Sequence, residues 1–82
     1  MKLYLSLKAK KQLGKLPTSE RRKIEKKFLN LSQDPFLGKK LSGEFKDCWS
    51  LKAWPYRVIY VVDIKKKSVF ISSILHRQGA YN

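Results

Sequence analysis

Residues Leu41 to Tyr81 read LSGEFKDCWSLKAWPYRVIYVVDIKKKSVFISSILHRQGAY. Three segments within it have the composition of β-strands: Trp49–Ala53, Tyr56–Asp63 and Ser68–His76. The first alternates, with Trp49, Leu51 and Ala53 on one side and Ser50 and Lys52 on the other. Pro55 cannot donate to a strand ladder, so the first hairpin turns near Trp54-Pro55. The second segment is apolar on both sides except for Arg57, the pattern of a central strand. Asp63-Ile64-Lys65-Lys66-Lys67 supplies the next turn, and Ser72 and Ser73 soften the last strand. Three strands joined by short turns make a meander, and the chain before Leu41 reads as its support.

That support begins with Leu3, Leu5 and Leu7, whose period of two predicts a half-buried strand. Ala9, Leu13 and Leu16 then recur at helical spacing among lysines, giving a short basic helix that Gly14 weakens and Pro17 ends. Thr18 or Ser19 is placed to cap a second helix, with Glu20 in its first turn favoured by the helix dipole. Ile24, Phe28 and Leu31 form its apolar face, Leu29 widens that face, and the helix stops before Asp34-Pro35. So short a connection between the helices predicts an antiparallel hairpin. Phe36 to Lys46 carries Gly38 and Gly43 and reads as a loop. The order β-α-α-β-β-β predicts a small α+β fold in a single domain spanning residues 1–82. A helical hairpin would pack on one face of a mainly antiparallel sheet and leave the other face open and basic.

A hydrophobic fraction of 43% in 82 residues is enough for one small core and unlike a disordered tail. Nineteen Lys and Arg against six Asp and Glu give a net charge of +13, spread along the whole chain. Such a field draws polyanions: nucleic acid or an acidic protein partner. The single cysteine, Cys48, excludes an internal disulfide and suits a reducing cytoplasm. One Cys and one His are too few for a zinc site, so no metal or cofactor is expected. No apolar run approaches the roughly 20 residues of a membrane span. The N-terminal residues lack the apolar core of a signal peptide. A cytoplasmic protein without a membrane partner is therefore expected.

Several meander residues can handle a phosphodiester, though each also has a plainer role. Arg57 is either a strand-end arginine paired with Asp47 or Asp63, or a fork onto phosphate oxygens. His76-Arg77 is either a solvated strand end or a proton carrier beside a charge that stabilises phosphate under attack. Tyr81, after the bend that Gly79 allows, is a packed terminal aromatic or a base-stacking ring. Lys52 is a solvated lysine or a partner in the same phosphate site. Trp54 and Tyr56 either pack beside the Pro55 turn or stack on bases. Lysine and arginine runs, Lys39-Lys40 among them, belong to the surface and as a set are suited to following RNA phosphates. With no metal-ligand cluster and no nucleotide-binding loop in the sequence, the accessible chemistry is metal-free transesterification. The nucleophile is then the 2′-OH of RNA.

The segments Lys40-Leu41-Ser42-Gly43-Glu44-Phe45-Lys46, Trp49-Ser50-Leu51-Lys52, Tyr56-Arg57-Val58-Ile59-Tyr60, and His76-Arg77 with Tyr81 resemble, in order and spacing, the RelE/ParE superfamily of bacterial and archaeal toxins from toxin–antitoxin pairs. The resemblance covers nearly the whole chain. It implies a RelE-like toxin that cleaves mRNA in the ribosomal A site and is neutralised by an antitoxin encoded beside it. Arg57 and Arg77 would hold the scissile phosphate, with Arg77 also able to assist the leaving group. Tyr81 would position or deprotonate the 2′-OH, and Lys52 would act as base or charge stabiliser. His76 matches a position that is catalytic in some members and absent in others. Lys39, Lys40, Lys46, Trp54 and Tyr56 would contact RNA. The implied partners are the cognate antitoxin, the ribosome and mRNA, with operator DNA for the toxin–antitoxin complex. The sequence ends one residue after Tyr81, where some relatives continue into a further helix, so a loosely held Tyr81 is expected. Two other readings stand beside this one. One is a ParE-like toxin that binds DNA gyrase and cuts nothing, and the other is a basic nucleic-acid-binding module without catalysis.

Overall fold

Strand β1, Lys2–Leu5, is the first product of the leucine alternation. In the computed structural model, which describes residues 1–41, Gly43 and residues 47–76, the period of two stops at Leu5, two residues earlier than the leucines suggest. Leu7 does not continue the strand: it opens helix α1, Leu7–Gly14, and is 70% exposed. Ser6 is the reason, because it stays extended and its Oγ accepts a hydrogen bond from the Ala9 amide at 2.9 Å. Helix α2, Thr18–Gln33, follows. Neither Thr18 nor Ser19 caps it. Pro17 takes the cap position without a side-chain bond, its carbonyl accepting from the Arg21 amide, so Thr18 already lies inside the helix. A proline has no amide hydrogen to satisfy there, and its fixed φ needs no change.

The residues between α2 and the meander are not all loop. Lys39–Lys40 forms a two-residue strand, β2, paired with Ser50 and Trp49 of the next strand. No periodicity can announce a strand this short; only its partner defines it. Strands β3 (Trp49–Ala53), β4 (Tyr56–Asp63) and β5 (Ser68–His76) form the expected meander, with a cis Trp54-Pro55 bond at its first turn. The sheet order is β1-β5-β4-β3-β2, which puts β4 at the centre, as its two apolar faces predict. Strand β1 pairs with β5 in parallel, and the remaining pairs are antiparallel.

Both helices cover one face of this mixed sheet. Ala9 of α1 and Ile24, Phe28 and Leu31 of α2 meet Ala53, Val58, Tyr60, Val69, Ile71 and Ile74. Each large aliphatic side chain buried this way contributes roughly 1.5–3 kcal/mol. Leu29 is not part of that stripe: it is 68% exposed, a helical step round from the buried positions. The helices anchor to the sheet more than to each other, α1 chiefly on β5 and α2 on β1, β3 and β5. Among the described residues, no helix is long and apolar enough to cross a membrane.

One irregularity in β5 determines which side chains reach which face. Ile59 pairs with Ser73, but the next residue, Tyr60, pairs with Ile71, so Ser72 is an extra residue in the ladder. Before this bulge Val69 and Ile71 face the helices; after it Ile74 does, three residues on rather than two. The bulge is held by α1 and its cap. The Ser6 hydroxyl donates to the Ser72 carbonyl at 2.7 Å, and the Ile74 amide donates to Gln12 Oε1 at 2.7 Å. The carbonyl of the extra residue and an amide two residues beyond it thus both have side-chain partners.

Candidate nucleic-acid interface

Alternation along the unbulged β4 sends Tyr56, Val58, Tyr60 and Val62 toward the helices and Arg57, Ile59 and Val61 to the open face. On β3, Ser50 and Lys52 share that open face. Lys52 and Arg57 are direct register partners, and directly opposed residues hold their Cβ atoms about 5 Å apart. Two cations side by side on one face concentrate positive potential there. Lys39 is opposite Ser50 and extends the group by one strand. Together with Leu41, these residues line a cavity of about 300 Å³. Ser50 belongs to its wall: the residue is 95% buried, and its Oγ has no hydrogen-bond partner among the described residues. A buried hydroxyl left this way is an unmet donor and acceptor beside three cations. A second, smaller cavity of about 130 Å³ continues over the hairpin tip, between Lys52, Arg57, Trp54, Pro55 and Tyr56. Trp54 is 66% exposed there.

The other named residues are elsewhere. The bulge at Ser72 reverses the facing of the end of β5, so His76 is opposite Tyr56 on the helix side, away from Arg57. Its ring meets the Tyr56 ring edge-on, with centroids 5.3 Å apart. Tyr56 in turn donates its hydroxyl proton to the Glu20 carboxylate of α2. That bond, then burial, then the negative charge of Glu20 raise the Tyr56 phenol above its ordinary pKa, because each disfavours a second anion. Lys40 pairs with Trp49 and lines a separate cavity with Phe36 and Asp47. Lys46, Arg77 and Tyr81 lie outside the described residues.

Two contributors are invisible to pattern reading. Ser50 looks like an ordinary polar position in an alternating strand. Gly38 looks like loop punctuation, yet its amide donates to the Tyr60 hydroxyl at 2.9 Å. A Cβ at Gly38 would stand 2.6 Å from that hydroxyl and 2.7 Å from the Ser50 carbonyl oxygen. Only glycine lets β2 approach β3 closely enough to place Lys39 in the cavity. Tyr60 is fully buried, which pushes its phenol pKa up against the opposing effect of the Gly38 bond.

Two helices on one face of a five-stranded mixed sheet match the fold of known toxins. Over residues 3–81 the sequence matches the family described as the ParE toxin of type II toxin–antitoxin systems. The chain belongs to this family, within the RelE/ParE superfamily of type II toxins. Among solved structures it is similar to the toxin–antitoxin complex RelBE2 from Mycobacterium tuberculosis, with a TM-score of 0.86 and 28% identity over 93% of this chain and 96% of that one. The isolated RelE toxin of E. coli gives a TM-score of 0.80 and 29% identity, covering 92% of this chain and 82% of that one. The RelE–RelB complex of the archaeon Pyrococcus horikoshii OT3 gives 0.82 and 26%, covering 96% and 97%. A comparison with curated protein sequences returns no match.

Proposed function

We propose that this toxin is a ribosome-dependent endoribonuclease that cleaves mRNA in the A site by metal-free transesterification, and that a cognate antitoxin neutralises it. The observation that carries the reading is the Lys52–Arg57 register pair on the open face, at the mouth of a cavity that also holds Lys39 and the unpartnered Ser50 hydroxyl. In the proposed step the 2′-oxygen attacks the adjacent phosphorus and the bond from phosphorus to the 5′-oxygen breaks. The 2′-OH loses its proton to a base, and the leaving oxygen gains one. Negative charge peaks on the non-bridging oxygens, where a forked guanidinium from Arg57 and the ammonium of Lys52 stabilise it. Trp54, exposed beside both, is suited to stacking on a neighbouring base. Arg77 and Tyr81 keep the roles that the resemblance gives them, the second arginine and the group that orients or deprotonates the 2′-OH.

The partner follows from the relatives. The M. tuberculosis and P. horikoshii structures are toxin–antitoxin complexes. A net charge of +13 fits an acidic or amphipathic antitoxin segment on this chain as well. Cytoplasmic action on translating ribosomes is part of the same proposal.

Primer extension on a defined mRNA, with translating ribosomes present or absent, tests the reading. Wild type is expected to cut within A-site codons only when ribosomes are present. Arg57→Ala and Lys52→Ala are each expected to cut about 10²-fold more slowly, the scale for losing one stabiliser of transition-state charge. Intact mRNA with wild-type protein would sink the nuclease reading, and inhibition of gyrase supercoiling by the same sample would replace it.

A further inference from the structure

The open face of the sheet has a second region that the phosphate site does not use. Tyr4 of β1 and Phe70 of β5 are register partners, and Val61 of β4 is opposite Phe70. Their chain neighbours Leu3, Leu5, Val69 and Ile71 take the core side, so these three face away from the helices. Tyr4 is 52% exposed and Phe70 46% exposed, although both stand in the interior of their strands. They line a cavity of about 620 Å³ with Lys66 and Asp63 at its rim. Lys2 shares the face with Tyr4. Asp63 is engaged in the β4–β5 turn, where its Oδ1 accepts the Lys66 amide at 3.1 Å.

We propose that Tyr4 and Phe70 form a stacking platform for unpaired nucleobases, so that the open face holds single-stranded RNA beyond the scissile phosphate. This rests on the RNA-cleaving reading and extends it to the substrate strand. The geometry supports one continuous track. Arg57 and Val61 are four residues apart on β4, which has no bulge of its own. At about 3.3 Å per residue the platform begins roughly 13 Å along the strand from Arg57, and Phe70 is about 5 Å to the side. An extended strand with its phosphate at Arg57 reaches these rings with a base only a few nucleotides away. Cations stand at both ends of the track: Lys39, Lys52 and Arg57 at one, Lys2 and Lys66 at the other. Aromatic faces between cationic ends suit a chain with a π-face at each unit and a charge at each link. Because every base has such a face, the platform adds affinity without setting sequence.

The test is fluorescence anisotropy on the full chain with labelled single-stranded oligoribonucleotides, made uncleavable by 2′-O-methyl groups, at several salt concentrations. The readout therefore survives even if the chain cuts nothing, and loss of cleavage alone would count only against the nuclease reading. Tyr4→Leu and Phe70→Leu keep apolar contact but remove the ring. Each is expected to weaken binding about tenfold, the size of one base stacked on one ring. Their salt dependence should match wild type, whereas Lys52→Ala should make it shallower. Tyr4→Phe and Phe70→Tyr should bind as wild type. On wild-type protein, an oligonucleotide carrying an abasic stretch, or the same strand as a duplex, should bind about tenfold or more weakly. Wild-type affinity in a folded Tyr4→Leu/Phe70→Leu double variant would overturn the platform, and so would equal binding of the abasic strand. If that double variant bound RNA normally but lost its cognate antitoxin, the face would be a protein-docking surface and the proposal would fail.

Discussion

Replacing Ser6 by alanine removes two hydrogen bonds with one oxygen. Oγ accepts from the Ala9 amide at 2.9 Å and donates to the Ser72 carbonyl at 2.7 Å. Loss of the N-cap costs about 1 kcal/mol. Loss of the second bond costs about 1 kcal/mol more, because the half-buried bulge carbonyl loses its partner. Helix α1 has eight residues and cannot stand without its tertiary contacts. The sum is about 2 kcal/mol, which in a domain of this size lowers Tm by about 10 °C. Thermal melts followed by circular dichroism measure it directly. Ser6→Thr keeps a hydroxyl that donates and accepts, and should recover most of the loss. Ser6→Asp keeps only the acceptor and sets a carboxylate against the Ser72 carbonyl, so it should not recover it. A drop under about 3 °C for Ser6→Ala, or full recovery by Ser6→Asp, would refute the idea that this hydroxyl holds the bulge.

Gly38→Ala should cost about 2 kcal/mol in urea denaturation, because the new Cβ meets the Tyr60 hydroxyl and a backbone carbonyl that cannot swing aside. Arg57→Lys keeps the charge but loses the fork, and ribosome-dependent cleavage should still fall by about 10²-fold, as measured by primer extension. Tyr56 holds its proton more tightly folded than unfolded. Its contribution to stability is therefore complete below its ordinary pKa of 10.0 and is lost as pH rises through the higher folded value. Tyr56→Phe should lower stability at neutral pH and flatten this alkaline loss, read as urea midpoints against pH. An unchanged alkaline slope would place the titrating group elsewhere.

Local pattern was enough for much of this molecule. The strands Trp49–Ala53, Tyr56–Asp63 and Ser68–His76 and the end of α2 at Gln33 follow from period, proline and turn chemistry, all of which act between near neighbours in the chain. Charge and strand alternation were also enough to set Lys52 and Arg57 apart from the other basic residues. Their direct pairing needed the β3–β4 register, which the short Trp54-Pro55 turn sets. Strand β2 and the role of Gly38 were not legible, because each exists only through a partner: Ser50 and Trp49 for the strand, Tyr60 for the glycine. The same holds for the facing of His76. A period of two counted along Ser68–His76 gives no sign of an extra residue at Ser72. Ser6 and Gln12, more than 60 positions earlier in the chain, hydrogen-bond the backbone of Ser72 and of Ile74 just beyond it. The chain specifies strands through neighbours, but it assigns faces through bonds between distant residues, and the bulge therefore separates His76 from Arg57 where sequence alone had grouped them.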